Sequence, residues 1–241
     1  MYAAIVLPAF NEEDSIGPLL REIRGAIEGL PVREVVLVDD GSTDDTAANA
    51  IAAWGRDPSL RVIRHGRRQG QSRALLTGIR AASQDLIVTL DADGQNDPAD
   101  IATLIAAFTA RQNVTARMIV AGQRMRRQDT LLKRISSRLA NGIRASLLGD
   151  NVRDTGCSLK LFRRQDFLDL PFFDHIHRFV PALMKASGVA VVLVDVGHRP
   201  RKAGASKYGF WDRLWVGIYD LVGVRWLVKR QIANVELETV Q

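Results

Sequence analysis

Residues 85–93 read Asp-Leu-Ile-Val-Thr-Leu-Asp-Ala-Asp, an apolar run that ends in two carboxylates one residue apart. Short aliphatic and β-branched runs closed by polar residues read as strands buried on both faces. Three more precede it: AAIVLP at 3–8, EVVLVDD at 34–40 and LRVIRH at 60–65. Between them lie segments of helical spacing, Ser15 to Leu30, Thr43 to Trp54 and Gly70 to Ala82, with starts expected at Ser15, Ser42 and Gln71. The alternation is βαβαβ with right-handed crossovers, so an α/β domain on a mostly parallel sheet is expected. Further on, Asp97 is the expected N-cap of a helix that has Pro98 at its first position and runs to Arg111. MIVAGQR at 118–124 reads as another strand, and Asp129 to Leu148 as a long helix carrying Lys133, Arg134, Arg138 and Arg144.

Polar groups follow three of these strands, at Asn11-Glu12, Asp39-Asp40 and Asp91 to Asp93. Carboxyl ends of parallel strands share one edge, where ligands of open α/β sheets bind, so these groups are expected to converge. Alternate residues of an extended chain face one side, which sets Asp91 and Asp93 together with Ala92 between them, letting backbone approach a ligand. Two carboxylate pairs in one cleft would repel unless a cation lies between them. A divalent ion held there neutralises a diphosphate leaving group, and Gln95 adds a neutral oxygen.

The 241 residues allow one full α/β domain. A net charge of +6 suits phosphates or an anionic membrane surface. Nucleic acid is a poor partner, because the carboxylate cluster would repel its backbone and no recognition helix is legible. Cys157 is the only cysteine, so no internal disulfide can form and a reducing compartment is expected. No basic n-region opens the chain, and the longest apolar stretch, Gly209 to Val228, is broken by Asp212, Arg213, Asp220 and Arg225. A span needs roughly 20 unbroken apolar residues, so the chain is expected to stay on the cytoplasmic side.

The motifs PAFNEE, VVLVDDGSTDDT, GQSRALLTGIRAA and LDADGQNDP, in this order, resemble the catalytic core of family 2 glycosyltransferases. GQR at 122–124, SSRLAN, VRDTGCSLKLFRR and HRPRKAGASKYG extend the resemblance to the branch holding dolichyl-phosphate mannose synthase and undecaprenyl-phosphate sugar transferases. The resemblance implies the GT-A fold, a Rossmann-like three-layer sandwich. It further implies that Pro8, Phe10, Glu12, Val38, Asp40 and Ala92 border the donor nucleotide, and that Asp91, Asp93 and Gln95 hold Mg²⁺ or Mn²⁺. Phe10 stands where the branch more usually has tyrosine. Arg124, Arg201 and Lys207 are implied as phosphate contacts, Lys133 and Ser137 as acceptor-phosphate contacts, and Asp154 as a group orienting an arginine.

An acceptor phosphate is already ionised near neutral pH, so no strong base is required, and none of the four histidines falls in the three strand-end motifs. The implied activity moves one hexose, with inversion, from a nucleotide diphosphate sugar to a polyprenyl phosphate, with GDP-mannose the favoured donor and UDP-sugars next. A soluble or polysaccharide acceptor, and a non-catalytic partner of a membrane protein, are the competing readings. Residues 1–205 are expected as the catalytic domain and 206–241 as an appended amphipathic segment. There Phe210, Leu214, Ile218 and Leu221 form an apolar face flanked by Trp211, Trp215 and Tyr219, which suits peripheral association with the inner membrane face. Arg225-Trp226 lacks the glutamine of the processive Q-x-x-R-W motif and reads as an interface anchor.

Overall fold

The computed structural model describes residues 1–115, 117–124, 148, 149, 154, 156–200 and 210–230. Of residues 210–216 and 218 it describes the backbone. Four strands, β1 (Ala3–Ala9), β2 (Val32–Asp39), β3 (Leu60–Arg64) and β4 (Leu86–Thr89), alternate with helices α1 (Glu13–Ala26), α2 (Thr46–Trp54) and α3 (Gln71–Ala81). Helix α4 (Asp100–Thr109) leads to β5 (Met118–Arg124). Then follow β6 (Lys160–Arg163), α5 (Arg164–Leu168), a 3₁₀ turn at Ile176–Arg178, α6 (Val180–Ala186), β7 (Ala190–Val196) and α7 (Phe210–Arg230).

The strands form one seven-stranded sheet in the order β3-β2-β1-β4-β6-β5-β7. Every neighbouring pair is parallel except those of β6, which runs antiparallel to both β4 and β5. Strand alternation divides the core into two layers. Ile5, Leu7, Val35, Leu37 and Val88 face α1, α2 and α4, whereas Ala4, Val6, Val36, Val38 and Ile87 face α3, α5 and α6. The expected three-layer sandwich with a mostly parallel sheet is therefore present.

Helix α3 lies close against the sheet because residue 78 is glycine. A Cβ there would stand 2.5 Å from Val6 Cγ1 and 3.1 Å from Val38 Cγ2. Gly78→Ala is expected to cost about 1–3 kcal/mol in urea denaturation, as overpacked cores do. Val6→Ala in the same chain should recover part of that loss.

Three sequence expectations change here. α1 begins at Glu13, two residues before Ser15, and the Ser15 hydroxyl lies 2.8 Å from Glu12 Oε2 and 2.9 Å from the Ala92 carbonyl oxygen. Asp97 caps a turn upstream of α4, its Oδ1 accepting from the Ala99 N–H at 3.0 Å. The face proposed for the tail is also divided. Leu221, Val224 and Val228 turn inward onto the α3-side core, with Val224 1% exposed, while Tyr219 (78%), Val222 and Trp226 (60%) face out. Both sets have i, i+3, i+7 spacing, so each makes one stripe. The side chains of Phe210, Trp211, Leu214, Trp215 and Ile218 lie outside the described residues.

Candidate active site at the carboxyl edge of the sheet

The ends of β1, β2 and β4 lie side by side, as parallel pairing in register requires. Asn11 ties the first two together. It adopts φ 53°, a left-handed conformation that asparagine tolerates, and its Oδ1 accepts the Thr43 N–H at 2.9 Å. Its own N–H donates to Ser42 Oγ at 3.0 Å, and the Glu12 N–H donates to Thr46 Oγ1 at 2.8 Å. Phe10 carries the Arg68 guanidinium 4.4 Å from its ring centroid, so one face of the proposed base-stacking ring is already occupied by a cation. Pro8 is half-buried in β1 opposite Val38.

The two acidic pairs have different roles. Asp39 Oδ1 accepts the Ser42 N–H at 2.8 Å and its Oδ2 lies 3.2 Å from Arg64 Nε. Asp40, 2% exposed, accepts the backbone N–H groups of Gln69 and Gly70 at 2.8 and 2.7 Å. Its Oδ1 also lies 2.7 Å from His65 Nδ1, and His65 Nε2 lies 2.9 Å from Thr77 Oγ1. Asp40 thus fastens the start of α3 to the sheet, and Val38 is fully buried beneath that helix. Both side chains are buried, and the Gln69 and Gly70 amides lie against the Asp40 carboxylate. His65, which directly follows β3, lies outside the three strand-end motifs.

Asp91 and Asp93 have no such complement of donors. Asp91 Oδ1 accepts from Gln71 Nε2 at 2.8 Å and Asp93 Oδ1 from the Gln95 N–H at 3.1 Å. Burial, and next the charge of Asp93, push the Asp91 carboxyl up to about 6, against the opposing pull of Ser158, Lys160 and Arg124. Ala92 between them is buried in the core, and residues 92 and 93 form a turn where extended chain was expected. The two carboxylates border different recesses: Asp91 a cavity of about 370 Å³ towards α3 and β6, Asp93 a shallow crevice against α1 and Arg199.

The loop carrying this pair is held from β6. Asp91 N–H donates to Ser158 Oγ at 3.2 Å, Ser158 Oγ donates to Asn96 Oδ1 at 2.7 Å, and Asn96 Nδ2 reaches Cys157 Sγ at 3.7 Å. Cys157 is buried and its thiol is pushed up by burial, which fits packing and not nucleophilic attack. At the end of β5, Arg124 forms a two-pronged pair with Asp154 at 2.5 and 2.7 Å, both half of it well shielded from water. Asp154 therefore orients an arginine. Gly156 allows the approach, since a Cβ there would stand 3.1 Å from Arg124 Nη2. On the other side of the loop, the Arg199 N–H donates to the Gln95 carbonyl at 2.8 Å and its guanidinium bridges Glu22 and Asp97. The chain is thus held beside Gln95 just before Arg201. Arg201, Lys207, Lys133 and Ser137 lie outside the described residues.

Sequence reasoning missed Lys160, His177 and Arg178, which border the Asp91 cavity. Lys160 had a legible signal, a lone cation inside the strand LKLF; the other two sit in a loop with no pattern. Burial, and next Arg178, push the His177 imidazole down to about 3, and its Nδ1 lies 2.9 Å from Ser72 Oγ. An unfolded histidine protonates near 6.5, so below that pH the unfolded chain binds the extra proton. Stability contributed by neutral His177 is then full above about 6.5 and falls towards pH 3, by at most about 1.4 kcal/mol per pH unit. His177→Gln is expected to flatten the dependence of urea midpoints between pH 6 and 4.

A metal fits the donor set without a dedicated cage. Among the described residues no group of three or more His, Cys, Asp or Glu could enclose an ion. Mg²⁺ is commonly bound through one or two carboxylates plus substrate phosphates, and Asp91 and Asp93, short of donors and mutually repelling, supply such a pair.

A parallel sheet with an Asp-x-Asp loop at its carboxyl edge and one antiparallel strand beneath that loop is the GT-A arrangement. The chain belongs to glycosyl transferase family 2, whose model matches residues 4–170. It is 35% identical over 232 residues to the dodecaprenyl-phosphate galacturonate synthase of Rhizobium johnstonii, covering 94% of this chain and 67% of that protein. It is 32% identical over 224 residues to the undecaprenyl-phosphate 4-deoxy-4-formamido-L-arabinose transferase of Edwardsiella ictaluri, covering 92% and 67%. The chain spans about two thirds of the length of these relatives. Among solved structures, glucosyl-3-phosphoglycerate synthase from Mycobacterium tuberculosis in complex with Mn²⁺, uridine diphosphate and glucosyl-3-phosphoglycerate superposes with a TM-score of 0.71. That match is 23% identical and covers 97% of this chain and 81% of the other, a likeness of fold.

Proposed function

We propose that the protein transfers one sugar, with inversion, from a nucleotide diphosphate sugar to a polyprenyl phosphate at a membrane surface. The observation that carries the reading is the contrast between the two acidic pairs. Asp40 is held by two backbone N–H groups and Asp39 by the Ser42 N–H and Arg64, whereas Asp91 and Asp93 stand at the strand edge with few donors and like charges one residue apart. In this reading Asp91 and Asp93, with Gln95, hold Mg²⁺ or Mn²⁺. The ion, when bound, offsets charge on the departing diphosphate. Arg124, fixed by Asp154, borders the same cavity, and Arg201 and Lys207 are assigned to phosphate contact by the family resemblance alone. Pro8, Phe10 and Glu12 border the nucleotide. Asp40 and Val38 serve it indirectly, by fixing α3 and so the Gln71 amide on Asp91.

The lipid acceptor is supported by the names of the two relatives, both of which act with a polyprenyl phosphate. Their sugars are a uronic acid and a formamido-arabinose, so the donor panel has to extend beyond GDP-mannose to UDP-sugars. The test is incubation of purified protein with membranes and radiolabelled GDP- and UDP-sugars, followed by organic extraction. Metal-dependent label in the organic phase is expected; label confined to water-soluble product would refute the lipid acceptor.

Peripheral binding is assigned to the outward stripe Tyr219, Val222 and Trp226. No helix among the described residues is long and apolar enough to cross a membrane. Replacing Tyr219 and Trp226 by serine is expected to weaken binding to anionic vesicles about tenfold or more in co-sedimentation, since burying one aromatic ring is worth roughly 1.5–3 kcal/mol. Unchanged sedimentation would remove the helix from the membrane contact.

A further inference from the structure

The cavity behind Asp91 carries more positive charge than the donor groups account for. Arg124, Lys160 and Arg178 border it, and Asp91 is the carboxylate on its wall. Arg124 is matched by Asp154. Lys160 is 5% exposed and its amine donates to the Cys157 carbonyl, a neutral partner that leaves two of its three N–H groups to be filled. Arg178 is half-buried, and among the described residues neither it nor Lys160 forms an ion pair. His177 beside them is neutral and adds no compensating charge. With Asp91 committed to a cation it shares with Asp93, Lys160 and Arg178 are left without a close carboxylate partner among the described residues. Buried charge is costly unless paired, so an anion is the fitting occupant. Leu75, Phe162, Phe167 and Val180 add apolar surface to a wall that also carries the polar Gln71, Thr89, Ser158 and His177.

We propose that this cavity is an oxyanion subsite in which Lys160 and Arg178 hold a substrate phosphate or carboxylate beside Asp91. The proposal rests on the reading above and adds the charge that a substrate carries on the α3 side of the metal loop. Two sources present this chemistry: the phosphate of a prenyl acceptor, and the carboxylate of a uronic-acid sugar on the donor. Either meets an arginine fork and a lysine point charge, with Leu75, Phe162, Phe167 and Val180 as apolar surface for an isoprene unit or a sugar ring.

The test uses the full chain with Mn²⁺ and four probes, farnesyl phosphate against farnesol and UDP-galacturonate against UDP-galactose, with UDP as the reference. In Arg178→Gln, UDP affinity is expected to stay within about twofold of the unaltered protein, whereas Lys160→Met, whose charge acts on Asp91, is read by its probe ratios alone. The preference for the anionic member of one pair is expected to fall about tenfold or more, the usual worth of a charged hydrogen bond. Loss in the farnesyl pair identifies the acceptor phosphate, and loss in the sugar pair identifies the donor carboxylate. Wild-type ratios in both pairs for Arg178→Gln would refute the subsite, whether or not Lys160→Met folds. Failure of the unaltered protein to bind UDP would instead sink the donor reading, while the farnesyl pair still reports on the cavity.

Discussion

Asp91→Asn is expected to abolish sugar transfer and, in the metal-free protein, to raise the temperature of unfolding. Few single changes push activity and stability so far in opposite directions. In the absence of a cation, Asp91 and Asp93 repel across one residue at a partly buried position. Asparagine keeps the Oδ1 that accepts from Gln71 and the backbone N–H that donates to Ser158, so the loop's own hydrogen bonds survive. Removing the charge should gain about 1–2 kcal/mol, the raised carboxyl being discounted for its partial exposure. Transfer should fall by about 10³-fold or more, because a divalent ion supplies several kcal/mol of charge stabilisation. Calorimetry with and without Mn²⁺ separates the two effects: the ion should stabilise the unaltered protein and leave Asp91→Asn unmoved. An Asp91→Asn protein less stable than its parent without metal would show that the pair is not mutually destabilising.

The second large effect is expected at Asp154. Truncation to alanine strands the Arg124 guanidinium in a place well shielded from water, and breaking one side of a buried pair costs about 3–5 kcal/mol. Replacing both partners, Asp154→Leu with Arg124→Met, should restore most of the stability in urea titrations, since a buried pair and an apolar pair of similar volume are close in free energy. Transfer should stay low in the double variant, because the fork that faces the Asp91 cavity is gone. Recovery of transfer along with stability would reduce Arg124 to a packing role.

The first half of the chain was legible because each parallel strand there is an unbroken apolar run that ends in a polar motif. β6 and β7 escaped for different reasons. β6 is four residues with Lys160 and Arg163 in it, a pattern that predicts no strand; it is made by the neighbours β4 and β5, which cover both its edges. β7, AVVLVDV, has the composition of a strand but carries no polar motif of its own, lying between VRDTGCSLKLFRR and HRPRKAGASKYG. At the site, Asp91 and Asp93 were proposed from spacing with Gln95 as an added oxygen, and Asp154 was expected to orient an arginine, which its pair with Arg124 does. Asp40 was harder. Its motif reads the same whether the carboxylate meets a ligand or the Gln69 and Gly70 amides, and the loop that decides lies 29 residues further on. Lys160, His177 and Arg178 gather only when β6 and the turn before α6 are brought under α3, a placement no local pattern encodes.

The antiparallel insertion of β6 also sets an order on the making of the molecule. During synthesis β1 to β4 emerge first and can pair in the order β3-β2-β1-β4, which leaves β4 as an open edge of unpaired N–H and C=O groups. That edge stays bare until residues 160–163 arrive some 70 positions later, and the Asp91 loop lacks its Ser158 anchor for as long. A nascent chain halted before residue 158 would therefore offer a sticky strand and a slack catalytic loop, and shielding β4 in that interval is a task for ribosome-bound chaperones or for the speed of translation itself.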